Sequence, residues 1–113
     1  MGNKLSKANS YYLMMDTEVF DRHGNFKGRF YKDLEYYNNK DSYMGKIDSE
    51  GKFYNAGGSC VGKIDENDSV YNESDSYLGK VESDSKVYDS KGILIGKLTG
   101  AKKEQIAFLY FFL

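Results

Sequence analysis

The residue types that most often perform catalysis are scarce in this chain of 113 residues, which has one histidine, His23, and one cysteine, Cys60. A nucleophilic cysteine needs a base within hydrogen-bonding reach. The two residues instead occupy different positions in different copies of an internal repeat, His23 in a turn and Cys60 in an apolar column. We therefore interpret His23 as a solvated turn residue and Cys60 as a small buried hydrophobic residue, and we predict no enzymatic activity.

Two acidic stretches are the candidates for metal binding. DENDS, from Asp65, and ESDS, from Glu73, place carboxylates in short turns, as calcium loops do. An EF-hand loop requires glycine at its sixth position and glutamate at its twelfth, where Ser76 stands, so the spacing fails. We expect solvated turns, no metal and no cofactor, with weak calcium sites as the alternative.

Five basic residues recur at one spacing and form the main candidate binding site: Arg29, Lys46, Lys63, Lys80 and Lys97. If the units that carry them close around an axis, their charges form a ring that could hold an anion near the axis, and the tyrosines could hold a glycan. Asp48, Asp65 and Glu82 each follow one of these lysines by two positions and favour local neutralisation instead. A formal net charge of −1 argues against nucleic acid as a partner.

The opening sequence MGNKLSK matches the pattern for N-myristoylation, with Gly2 as the acceptor. A single acyl chain gives only marginal membrane binding, so a lipid-anchored peripheral protein is a further alternative. The runs YYLMM and IAFLYFFL are too short for a signal-peptide core and a membrane span, respectively. We expect a cytoplasmic protein without a transmembrane segment, although a removed signal peptide stays open.

The spacing of the basic residues comes from a 17-residue repeat. It places glycine at Gly28, Gly45, Gly62, Gly79 and Gly96, and an aromatic residue eight positions earlier at Phe20, Tyr37, Tyr54, Tyr71 and Tyr88. In each copy, two strand-forming runs flank a turn that contains Asn or Asp and, in most copies, Gly. This pattern predicts one β-hairpin per copy.

The copy VYDSKGILIGKL shows the expected pairing most clearly. Pairing across its turn places Tyr88 opposite Leu94 and Val87 opposite Ile95. Period-two alternation then places Gly96 on the face that carries Tyr88. Because glycine weakens a strand, we predict that a Tyr ring or a neighbouring unit occupies the space of the missing side chain.

An isolated hairpin is marginal in water, so these units must pack together. We predict an all-β fold of five tandem hairpin repeats in a closed or nearly closed pseudo-fivefold radial arrangement, since closure removes exposed edges. The chain is expected to be one domain, with a lead-in at residues 1–18, the repeats at 19–103 and an apolar plug at 104–113. We expect the plug to be a short helix, with a strand as the alternative, packed in or on the ring.

VYNESDSYLGKV and VYDSKGILIGKL resemble the bacterial five-fold β-flower family, whose repeat reads roughly as apolar, Tyr, Asp, a Gly-containing turn, then Ile-Gly-Lys-apolar. The resemblance covers residues 19 to about 98, and the apolar tail is also similar. It implies hairpin petals around a central axis and no assigned activity. The first copy, VFDRHGNFKGRF, departs from the pattern, and Asp41 and Asp75 replace the turn glycine in two others.

The leading hypothesis is a non-enzymatic structural or interaction module with an unidentified protein partner, present as a monomer or weak oligomer. The alternatives are a ligand-binding module for an anion or glycan and an N-myristoylated peripheral membrane protein.

Overall fold

The computed structural model describes residues 17–21, 23–32 and 34–113. These residues form ten antiparallel strands and one helix: β1 Thr17–Phe20, β2 Phe26–Tyr31, β3 Glu35–Asn38, β4 Tyr43–Ile47, β5 Lys52–Asn55, β6 Cys60–Ile64, β7 Ser69–Asn72, β8 Tyr77–Val81, β9 Lys86–Asp89, β10 Leu94–Lys97 and α1 Lys103–Phe111. The all-β prediction and the short C-terminal helix are confirmed. The chain divides into two compact units, Met1–Tyr43 and Met44–Leu113.

In the first unit, β1, β2 and β3 pair in sequence order. Val19, Phe30 and Tyr36 are buried, and the rings of Phe30 and Tyr36 lie 4.8 Å apart between centroids. The Tyr36 hydroxyl donates a hydrogen bond of 3.1 Å to the carbonyl oxygen of Lys27, and burial raises the pKa of Tyr36. The Tyr36 ring occupies the space that a side chain at Gly28 would need.

In the second unit, the strands again pair in sequence order, and one face of them is buried together with α1. The buried side chains are Ile47, Phe53, Ile64, Val70, Val81 and Val87 from the strands and Ile106, Ala107 and Phe108 from the helix. The helix thus supplies part of this unit's core.

Each hairpin whose pairing is described contains a β-bulge immediately before the repeat glycine. Tyr88 pairs with Leu94, as predicted, but Val87 pairs with Gly96 and not with Ile95. The bulge inserts one extra residue into the second strand. The residues after the bulge therefore lie on the face opposite to the one that regular alternation predicts. The predicted placement of Gly96 with Tyr88 is therefore wrong, since the glycine shares the buried face. The same shift occurs in β1–β2, β5–β6 and β7–β8.

The turns of the repeat are stabilised by the Asn or Asp that follows the repeat aromatic residue. Asn72 Oδ1 accepts hydrogen bonds from the backbone N–H groups of Ser74 (2.9 Å) and Ser76 (3.0 Å). Equivalent bonds form at Asp21, Asn38, Asn55 and Asp89. Asp41 and Asp75 have φ of 62° and 64°, which confirms that they replace glycine in the left-handed conformation.

Replacing Asn72 with alanine should destabilise the protein by about 1–2 kcal/mol, because two backbone N–H groups lose their acceptor. Asn72→Asp is the matched control, since aspartate performs this role in other copies and should retain most of the stability. Urea denaturation of the three proteins measures the effect. Equal midpoints for the alanine variant and the wild type would contradict this account.

The hydrogen-bonded sheet is not closed. The strands of each unit follow a linear order, and among the described strands β10 pairs with β9 alone. A closed or nearly closed arrangement was predicted because closure removes edges. In the second unit, α1 covers the inner face, so burial of the core does not require the strands to close on themselves.

Candidate functional site

The repeat glycines of the second unit contact aromatic residues of the C-terminal segment. The pairs are Gly45 with Phe108, Gly62 with Phe112, Gly79 with Phe111 and Gly96 with Tyr110. A Cβ atom at Gly79 would lie 2.8 Å from Cζ of Phe111, closer than real side chains approach. The predicted close approach is confirmed, and a Tyr ring fills the space at Gly96. At the other three glycines the ring is a phenylalanine of the C-terminal segment, which was not predicted.

The C-terminal helix is held at its start by polar contacts. Lys103 forms an ion pair with Asp68, which raises the pKa of Lys103. The backbone N–H of Lys102 donates to Oε1 of Gln105 at 2.9 Å, in a capping arrangement. Gln105 is buried, although it was not predicted from the sequence to be part of the core. A glutamine three residues after the N-cap is the signal that identifies such a role.

The opposite face of the strands carries the candidate binding residues. At four strand junctions, the basic residue lies directly opposite the repeat tyrosine of the next strand: Arg29 and Tyr37, Lys46 and Tyr54, Lys63 and Tyr71, Lys80 and Tyr88. We call these the basic–tyrosine pairs. The residues on either side of each basic residue point into the core, so alternation directs the basic side chains outward. The basic residues therefore lie on the outer face of the strands and not beside the helix.

Two of the pairs place a lysine over its tyrosine ring. Nζ of Lys46 lies 5.6 Å from the ring centroid of Tyr54, and Nζ of Lys63 lies 5.9 Å from that of Tyr71. Exposed contacts of this kind contribute about 0.5–1 kcal/mol each. The Tyr54 hydroxyl also donates to Asp48 at 3.1 Å, and this bond raises the pKa of Tyr54.

Acidic residues neutralise part of the basic set. The ion pairs are Arg29 with Glu18 (3.2 Å), Lys63 with Asp75 (3.4 Å) and Lys80 with Glu82 (2.8 Å). The bond to Glu82 raises the pKa of Lys80. It confirms the predicted neutralisation of Lys80 by Glu82, one of the three that were predicted. Asp65 instead accepts backbone hydrogen bonds in its own turn. Lys46 and Lys97 form no ion pair within the described ranges.

The two residues considered for nucleophilic catalysis lie in different units. His23 is an exposed turn residue, as interpreted from the sequence. Cys60 was expected to be buried, but its side chain is exposed. It pairs with Tyr54 on the outer face, because the bulge that follows it leaves it on the side opposite Gly62.

The part of the chain that the structure describes contains no group of three or more His, Cys, Asp or Glu residues arranged to hold a metal ion. It also contains no helix of the length and hydropathy needed to cross a membrane. Gly2, the predicted lipidation site, lies outside the described residues.

In the acidic turns, Asp65 accepts hydrogen bonds from the backbone of its own turn, and Asp68 and Asp75 form ion pairs with Lys103 and Lys63. EDTA should therefore leave the melting temperature unchanged. Differential scanning fluorimetry with EDTA and with added calcium measures this. A rise of several degrees in calcium would overturn the expectation and identify the turns as metal sites.

These features define an all-β protein with a repeated sequence. In its second unit the inner strand face packs on a C-terminal helix, and in both units the outer strand face carries regularly placed basic and aromatic side chains. A sequence model of the family described as "5-fold beta-flower protein" matches residues 3–113. The chain therefore belongs to the 5-fold beta-flower protein family, as its repeat sequences suggested. Neither the curated proteins nor the solved structures include a match to it.

Proposed function

We propose that the protein is a non-enzymatic interaction module in which five hairpin petals are arranged radially and present the basic–tyrosine pairs to a partner. The observation that carries this proposal is the identical cross-strand register of the four pairs. The core uses the opposite face, so packing does not require a tyrosine and a cation at these positions. A repeated outward display of such residues is typical of a contact surface.

The radial arrangement is supported by the contacts of the C-terminal segment. Phe108, Tyr110 and Phe111 belong to one helix, in which successive residues are rotated by roughly 100° about the axis. Their rings therefore point in different directions, yet each contacts the glycine of a different strand. This spread of contacts supports strands that lie around the helix, as petals around an axis would.

A ligand-binding module for an anion or glycan is the second candidate. Lys46 and Lys97 favour it, because both are exposed cations without an ion pair in the described part of the chain. It ranks second because the other three basic residues are paired with carboxylates.

A variant with Tyr54, Tyr71 and Tyr88 replaced by serine tests the outer face, with Lys40→Ser/Lys91→Ser in two exposed turns as the matched control. All three proteins are tested against purified acidic and neutral polysaccharides and nucleotides, and as bait in extracts of the source organism. A protein partner retained by the wild type and the control, but lost by the tyrosine variant, supports the interaction module. Polysaccharide or nucleotide binding that the tyrosine variant loses supports the second candidate. Any partner or ligand that all three bind equally contradicts a role for this face.

The intact mass of the native protein tests N-myristoylation of Gly2 separately. An unmodified N-terminal region would remove the lipid-anchored alternative.

A further inference from the structure

The turn of the last hairpin carries an aliphatic residue, Ile93, which is exposed by 58%. The other copies have polar residues at this position: Asn25, Ser42, Ser59 and Ser76. The backbone N–H of Ile93 donates to Oδ1 of Asp89 (3.0 Å), and its carbonyl oxygen accepts from the N–H of Asp89 (2.9 Å). The polar residues make the same two bonds in their own turns. The turn therefore does not require an apolar side chain at this position.

Ile93 begins a run of three exposed aliphatic residues, which we call the aliphatic tip. Leu94 and Ile95 complete it and are exposed by 53% and 44%. The equivalent residues of the other copies read NFK, SYM, SCV and SYL, so the last copy alone has three aliphatic residues here. A contiguous exposed apolar patch marks a contact site, because burying it against a partner is favourable.

Two lysines lie behind the aliphatic tip. Lys97 pairs directly with Lys86 across the hairpin, whereas the same positions of the first copy hold an ion pair, Arg29 and Glu18. Like charges directly opposite each other in a sheet are unfavourable. Lys86 has a carboxylate partner in Asp84 at 3.6 Å, and Lys97 has none in the part of the chain that the structure describes. These charges favour a partner that carries negative charge.

The order of side chains along the hairpin is that of an element at a membrane surface. The aliphatic tip comes first, Tyr88 lies opposite Leu94, and the two lysines follow. Lys97 is three residues beyond Leu94, roughly 10 Å at about 3.3 Å per residue. Interfacial segments bury apolar side chains about 5–10 Å into the boundary of the acyl chains. Tyrosine then lies at the level of the headgroups, and lysines reach anionic lipids.

We propose that the last hairpin binds the surface of a membrane that contains anionic lipids. The aliphatic tip enters the acyl boundary, and Lys86 and Lys97 contact the headgroups. A protein partner fits less well, because Trp, Tyr and Arg dominate most protein interfaces and a convex turn needs a matching pocket. One hairpin buries little area, so binding is weak and decreases with salt. The inference goes beyond the proposed function, since Ile93 and Lys97 do not belong to the basic–tyrosine pairs.

Vesicle co-sedimentation tests the proposal with the full chain, produced without an N-myristoyltransferase so that Gly2 carries no acyl group. One set of vesicles is phosphatidylcholine, and the other contains about 30% phosphatidylserine in phosphatidylcholine. Binding to the anionic vesicles should be at least roughly fivefold stronger and should weaken as salt is added. No binding to the anionic vesicles, or equal binding to both sets, would overturn the proposal.

Three substitutions locate the contact. Ile93→Ser restores the residue of three other turns, so it keeps the fold, which a thermal melt verifies. It should weaken binding to the anionic vesicles by about tenfold, as should Lys97→Glu. Leu34→Ser is the matched control at another exposed aliphatic residue (44%) and should bind as the wild type. Wild-type binding by the first two variants, or an equal loss in the control, would place the contact elsewhere and overturn the proposal.

A tryptophan at the tip reports insertion directly, because the chain has no tryptophan of its own. The fluorescence emission of Ile93→Trp should shift to the blue when anionic vesicles are added. Ser76→Trp, at the equivalent position of the preceding copy, is the control and should not shift. An Ile93→Trp emission that is already blue-shifted without vesicles, and that vesicles leave unchanged, would show that protein covers the tip. That result would overturn the proposal.

Discussion

Deletion of residues 106–113 should unfold the protein or cause it to aggregate. Ile106, Ala107 and Phe108 are exposed by 1% or less, and Phe108 and Phe112 pack against the buried ring of Phe53 at 5.8 and 4.9 Å. Each fully buried large apolar side chain contributes roughly 1.5–3 kcal/mol, so the loss of several rivals the 5–15 kcal/mol that stabilises a typical domain. Size-exclusion chromatography and a thermal melt followed by circular dichroism measure the outcome.

Removal of Leu113 alone is the matched control, because about half of that residue is exposed. This variant should remain monomeric with nearly the wild-type melting temperature. If the longer deletion behaved in the same way, the C-terminal helix would not be part of the core. Its apolar residues would then serve contact with a partner or a membrane.

Gly79→Val should destabilise the protein by more than about 1 kcal/mol, and by as much as about 3 kcal/mol, although valine is the better strand former. A Cβ atom at this position would lie 2.8 and 3.0 Å from two atoms of the Phe111 ring and would overlap the carbonyl oxygen of Tyr88. Gly79 also has φ of 149°, which side chains rarely adopt. Urea denaturation measures the loss, and a neutral or stabilising result would contradict the close approach.

A substitution at Gly96 separates the steric effect of the aromatic ring from the effect of the backbone conformation. The three atoms nearest to the Cβ position of this glycine all belong to Tyr110, and its φ is outside the range that favours glycine. Gly96→Ala should therefore destabilise the protein through the ring alone. Adding Tyr110→Ala should make the glycine substitution nearly neutral in a double-mutant cycle. Independent, additive effects would show that the ring is not the cause.

The features that sequence analysis predicted correctly are those fixed by local chemistry. Asn72 and Asp75 identify their turn because a side-chain acceptor and a left-handed residue are needed at fixed positions. The helix follows from an apolar run preceded by good helix formers. The faces of the hairpins were predicted wrongly, because one bulge residue reverses the alternation. Glycine within a strand is a known sign of a bulge, and Gly96 was interpreted only as a site of close approach.

For the candidate site, the sequence predicted the residues but not the contacts that they make. Recurrence alone identified the basic residues, but their partners depend on the register across strands, which spacing along one strand does not determine. Lys63 thus pairs with Asp75 of a later turn and not with Asp65. The exposure of Cys60 was not predicted either, because the bulge determines the strand face on which its side chain lies.

The glycine-to-ring contacts also determine the order in which the second unit can be completed. Its hairpins join residues close in sequence, so they can form early during synthesis. Gly45, Gly62, Gly79 and Gly96, however, are covered by residues 108–112, which the ribosome adds after every strand has been made. Until then the helix does not cover the apolar inner faces of the strands. A nascent chain therefore exposes an aggregation-prone apolar surface during most of its translation. The final step in the folding of this unit is the docking of one short helix.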